Sequence, residues 1–166
     1  MTRKIYVMVI CLCLFLSGLA YSEHAYTTRL QDFVANVYDD YGAQSFDAVY
    51  AVMYPSIAER VTEGEYAEFQ QHHFTRLSLE LSDIEVGEVS EGPRLTRSLR
   101  QLLPDDEDLP VYGVEITYRA HFVSGVQRNQ RISKTVYVAL VDPGTAGESL
   151  YLLWDPSSME EEETDQ

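Results

Sequence analysis

The chain has 166 residues, 45% hydrophobic and 23% charged, which is the usage of one globular domain and excludes a mostly disordered chain. Twelve basic residues face 27 acidic ones, for a formal net charge of −15. So acidic a surface repels phosphate backbones and anionic lipid headgroups, which excludes nucleic acid and leaves no membrane partner once the leader described next is removed.

Residues 1–22 read as a secretory signal peptide. Arg3 and Lys4 supply the positive end, Ile5 to Leu16 is an unbroken apolar run, and Ser17-Gly18-Leu19-Ala20 supplies small residues. The apolar run falls well short of the roughly 20 residues that a bilayer span needs. Cleavage after Ala20 or after Ser22 places small residues correctly, so the mature chain starts at Tyr21 or Glu23. The expected location is secreted or periplasmic, and the alternative is a membrane anchor formed by an uncleaved signal. Both cysteines, Cys11 and Cys13, lie inside the apolar run, so the mature domain has no disulfide and depends on its core.

The first half of the mature chain has helical periodicity. Leu30, Phe33, Val34, Val37, Tyr38 and Tyr41 form one helix face, and Gly42 is a natural stop. Ser45 caps a second helix carrying Phe46, Val49, Tyr50, Met53 and Tyr54, which Pro55 ends. Ser56 with Glu59 fits a capping box for a short turn. Thr62 with Glu65 fits another, with Val61 and Tyr66 at staple spacing, which predicts a third helix from Glu63 to about Phe74.

The second half alternates with period two, the strand signal. Leu77, Leu79 and Leu81 share a face. The parity then slips to Ile84 and Val86, which predicts a bulge near Ser82-Asp83. Residues 92–110 form an insertion. Its Leu95, Leu99, Leu102 and Leu103 have helical spacing, Arg94, Arg97 and Arg100 lie among them, and Asp105-Asp106-Glu107-Asp108 follows. A long strand from about Tyr112 to Val123 puts Val114, Ile116, Tyr118, Ala120 and Phe122 on one face. A hairpin through Ser124 to Gln130 leads to a strand from about Ile132 to Val141. The Asp142-Pro143-Gly144 turn leads to a last strand, about Ser149 to Trp154. Residues 157–166 read as a disordered acidic tail. The expected fold class is α+β, with N-terminal helices packed on a curved antiparallel sheet. The domain spans residues 23–156. The core is expected to include Phe33, Val37, Val49, Met53, Phe69, Ile116, Tyr118 and Val138.

The stretch from Val49 to Tyr66 carries a tyrosine-bearing helix, then Pro55, Arg60 and a Thr62-capped helix with an aromatic. In this, and in the later strands ending at Trp154, the chain resembles the nuclear transport factor 2-like superfamily, the cone-shaped fold shared with ketosteroid isomerase, and in particular its secreted members. The resemblance covers about residues 25–156. The insertion departs from it and leaves the strand pairing before Tyr112 open. A cystatin-like α+β variant is the other fold the element order allows.

The resemblance implies two things about function. Enzymatic relatives place a carboxylate inside an apolar cavity, where burial raises its pKa. Here Glu115 and Glu80 lie opposite the apolar faces of their strands, so the catalytic set is empty. Members also pair through the outer face of the sheet. Tyr137, Val141, Tyr151 and Leu153 make that face apolar here, which marks them as candidate interface for a homodimer or a cell-envelope partner. Tyr38, Tyr50, Tyr54 and Tyr118, on apolar faces, are the candidate lining of a pocket for a small apolar ligand. His72 and His73 diverge on one helix and His121 sits on a polar strand face, so no metal or cofactor is expected. The function expected is an exported, non-catalytic binding or accessory module. A small-molecule enzyme of the ketosteroid isomerase or dehydratase type and an interaction subunit of an envelope complex are the alternatives.

Overall fold

The computed structural model describes residues 26–104, 109–122 and 128–159. Residues 1–25, with the expected signal peptide and both cysteines, the acidic run 105–108, the hairpin tip and residues 160–166 lie outside the described residues. The fold is α+β, with helices first and then a curved, unclosed antiparallel sheet of four strands.

Helix α1 spans residues 26–42 and buries Leu30, Val34, Val37 and Tyr38, the face that the periodicity marks. Gly42 is its last helical residue, while Gln44 takes the left-handed turn. Helix α2 is Phe46–Ala51 and α3 is Pro55–Ala58. Ser56 and Glu59 form no capping box, because α3 starts two residues earlier, with Tyr54 as its cap. The Ser56 hydroxyl instead donates to the Leu102 carbonyl of the insertion. Helix α4 is Glu63–Leu77, and its Thr62–Glu65 capping box forms in both directions. It runs three residues past Phe74 and ends at Ser78 in the left-handed region, so Leu77 belongs to the helix and not to the strand.

The sheet runs in chain order, β1 (Leu79–Glu91), β2 (Val111–Phe122), β3 (Arg128–Val141) and β4 (Ser149–Leu153). The β1–β2 register shifts between Ser82 and Glu85, at the expected bulge, where Asp83 has φ 52°, and again between Val86 and Val89. Two bulges in one strand add local twist and bend the sheet around the helices. β4 pairs only with Tyr137–Val141, so the stretch of β3 before Tyr137 has no strand on that side. The outer edge of β4 is closed by the chain leaving α2: Leu152 N–H donates to Val52 O, and Tyr54 N–H to Leu152 O.

The core lies between α1, α2, α4 and the inner face of the sheet. Val37, Val49, Met53, Ile116, Tyr118 and Val138 are buried as expected, whereas Phe33 and Phe69 are half-buried at its margin. Residues 157–159, which composition assigns to the acidic tail, form a helical turn.

Candidate functional site

The insertion decides what the sheet leaves open. Its α5 (Arg97–Leu102) starts at Thr96, whose hydroxyl accepts from Leu99 N–H. Leu99 and Leu102 are buried on the same side as the outer-face residues Ala139 and Leu153. Asp155, just past β4, accepts hydrogen bonds at Oδ2 from Thr96 and Ser98, and at Oδ1 from the Ser157 amide and hydroxyl. Partial burial works to raise the Asp155 pKa. The donors Ser98, Ser157 and Thr96 together outweigh it and hold the carboxyl below its ordinary range. Pro93 crosses β2 at Gly113, where a Cβ would come within 3.2 Å of Pro93 Cβ and 2.9 Å of Thr135 Cγ2. Glycine at 113 is thus a requirement of close approach rather than of backbone conformation.

The insertion thus lies over part of the apolar outer face. Leu153 is 4% exposed within its own chain, and Tyr137, Val141 and Tyr151 are half-buried. The Tyr137 hydroxyl reaches Arg94 O at 3.5 Å, and Tyr151 packs edge-on to Tyr54 at 5.9 Å.

The four candidate pocket tyrosines divide. Tyr38 and Tyr118 meet, with ring centroids 5.8 Å apart. Tyr50 turns away and donates to Ala58 O and Val61 O, tying α2 to the turn before α4. Tyr54 faces Tyr151 on the other side of the β4 edge. One cavity, with a volume of about 230 Å³, lies where β4 stops and the edge of β3 is uncovered. Val37, Tyr38 and Tyr41 of α1, Tyr66 and Gln70 of α4, Lys134 to Tyr137 of β3, and Trp154 line it, with Leu99 and Asp155 at the insertion side. Tyr50, Tyr54 and Tyr118 are not part of that lining.

The rings fix each other edge to face: Tyr38 on Tyr41, Tyr41 on Phe74, and Tyr66 on Trp154 at 5.1 Å. Gln70, 5% exposed, accepts at its side-chain carbonyl oxygen from the half-buried Tyr41 hydroxyl at 3.0 Å. Burial pushes the phenols of Tyr38, Tyr41 and Tyr66 up, so all three remain neutral hydrogen-bond donors.

One cation belongs to this site. Lys134 sits on the inner face of β3, opposite Ile116, with its Nζ 5.2 Å from the Tyr38 ring centre and 5.8 Å from that of Tyr118. Burial raises the Tyr118 pKa, and the Lys134 ammonium opposes that shift. Stepping back by two from Val138 and Val136 reaches Lys134, so the strand alternation held the signal that a charge takes an inner-face position, where it stays exposed at the cavity rim.

A second polar row lies on the outer face. His121 Nε2 is 2.8 Å from Ser82 Oγ, and its Nδ1 is 2.7 Å from Asn129 Oδ1. Ser82 and His121 are half-buried and Asn129 is exposed. The row has the order of a nucleophile, base and orienting group. Strand pairing accounts for it, since Asn129 lies directly opposite His121 and Ser82 lies diagonally from it. Among the described residues no group of three metal-ligating side chains converges, and no helix is long and apolar enough to cross a membrane.

No known protein family, curated protein or solved structure matches the chain.

Proposed function

We propose that the protein is an exported binding or accessory module that takes a small aromatic ligand in the cavity beside β3. The observation that carries this reading is the cavity itself. It has a ring-lined wall and a few fixed polar groups, the usual make-up of a small-molecule site. A dry cavity of roughly 150 Å³ accepts benzene. The space here, about 230 Å³, suits one ring with a short polar arm. The helix-then-curved-sheet order supports kinship with the nuclear transport factor 2-like superfamily. The basic, apolar and small-residue stretches of residues 1–22 support export.

Binding without catalysis fits the chemistry of the wall. Its tyrosines are held neutral, and its carboxylate, Asp155, is held ionised by hydroxyls, so neither is tuned to exchange a proton near neutral pH. The test is titration with phenol, read by the emission of Trp154, the only tryptophan of the chain, and by amide shifts. A saturable response centred on Tyr41, Tyr66, Gln70 and Trp154 is expected. A flat response at millimolar phenol, with none of these amides moving, would overturn the proposal.

A further inference from the structure

Lys134 stands out three times. It is the only lysine after Lys4 in a chain of net charge −15. It occupies an inner-face strand position whose neighbours in the pattern, Ile132, Val136 and Val138, are apolar. Arg29, Arg119 and Arg131 each pair with a carboxylate, whereas Lys134 lies against rings. Its ammonium lies over two ring faces and beside the Tyr118 hydroxyl, which accepts from it, and the side chain stays exposed enough for a ligand in the cavity to reach it.

From this placement we propose that the cavity recognises a monoanion, a single-ring carboxylic acid whose ring packs among Tyr38, Tyr41 and Tyr66 while its carboxylate accepts from Lys134. The inference rests on the binding reading above and names its ligand class. The size argument limits the body to one ring with a short arm. Charge limits the arm, because a strongly acidic protein disfavours anions everywhere except at a local cation. One ammonium balances one negative charge, so a dianion would bring an uncompensated charge into the site. Asp155 borders the same cavity, but its carboxylate oxygens are occupied by Thr96, Ser98 and Ser157, and it serves the wall. A cationic ligand has to displace Lys134 from the ring faces it already covers. An uncharged one can accept from the ammonium but does not balance its charge, and a neutral acceptor bonds it more weakly than a charged one.

The test uses three probes of one size, phenylacetate, phenylacetamide and phenethylamine, each titrated into the full-length mature protein and read by Trp154 emission and calorimetry. Phenylacetate should bind about ten-fold tighter than the amide, the scale of one charge-assisted hydrogen bond, and the amine weakest of all. Lys134→Met should remove that preference and leave amide binding within about two-fold, while Lys134→Arg should keep most of it. Thermal melts check that each variant is folded. Equal affinity for acid and amide, or tighter binding of the amine, would overturn the monoanion inference while leaving the cavity as a binding site. Equal weakening of acid and amide in Lys134→Met would assign the lysine to packing alone and overturn it too. If none of the three probes, nor phenol, binds the wild-type protein, the binding reading itself is wrong.

Discussion

The two faces of the sheet are closed by different physics. Inside, rings and aliphatic side chains of α1, α2 and α4 meet Val114, Ile116 and Val138. This contact is broad and non-directional, and its strength scales with the area removed from water. Outside, α5 buries two leucines, but its position is fixed by directional bonds: Thr96 and Ser98 to Asp155, Ser56 to Leu102 O, and Tyr137 to Arg94 O. The inner layer should fail only with the whole domain. The outer layer can come loose alone, because it depends on a handful of polar contacts. The cavity lies between them, so its inner wall is the rigid one and its insertion side is the adjustable one.

The largest expected effect tests the inner layer. Ile116 is 1% exposed, and Ile116→Ala should cost about 2–5 kcal/mol, from lost transfer energy and the cavity left behind. A cooperative melt should shift as a whole, with the insertion and the helices losing structure together. A variant melting within a degree of wild type would mean that the inner face is not the load shared by the domain.

The inner layer is also the part that the sequence made legible. Period 3.6 in α1 and α2 and period two in β2 name the buried residues directly, and the parity slip at Ser82-Asp83 marks the bulge. Phe33 and Phe69 escape such reading because periodicity assigns a face, not a depth, and both sit at the margin of theirs. Leu77 reads as strand although it ends α4, because the change from helix to strand happens inside the leucine series, at a left-handed Ser78 that no residue type announces. The outer layer was legible only as unplaced leucines. Its fixing contacts join residues 43 to 59 positions apart, such as Tyr137 with Arg94 and Thr96 with Asp155, and local pattern carries no information about them. The same holds for the candidate site. Tyr38 follows from its helix face. Gln70 and Asp155 gain meaning only from what the fold brings to them, and the split between Tyr38 and Tyr54 depends on where β4 stops.

A middle-sized effect separates the layers. Gly113 lies under Pro93, and any side chain there must push the insertion outward or the strand inward. Gly113→Val should cost about 1–3 kcal/mol, the range for overpacking a filled contact. Hydrogen exchange should show the loss first at Leu99 and Leu102, with the amides of α4 keeping their protection. Uniform loss across both regions would show that the insertion and the core are one cooperative unit.

The smallest effect concerns the charge that holds the outer layer, and its sign follows from linkage. The folded-state pKa of Asp155 lies below its unfolded one, so the ionised form binds the fold better than the protonated form. The stabilisation is fully present above the unfolded value of about 3.9 and is lost as pH falls through the lower folded value. Asp155→Asn keeps one acceptor oxygen but removes the charge and presents an amide donor to hydroxyls, at a cost of about 1 kcal/mol. Glu65 and Glu148 are also held below their usual range, by the Thr62 and Gly144 amides first, so acid weakens the wild type at several places at once. The difference between wild type and Asp155→Asn cancels those shared terms. That difference, measured as melting temperature, should be constant from pH 6 to 8 and should shrink below about pH 4. Because the clasp touches the insertion and not α1 or α4, the variant should also expose the amides of residues 96–102 while leaving the rings around Tyr66 in place. A difference that grew toward acid pH would mean that Asp155 is folded in its protonated form, and the hydroxyls of Thr96 and Ser98 would then be acceptors rather than the donors that hold the outer layer down.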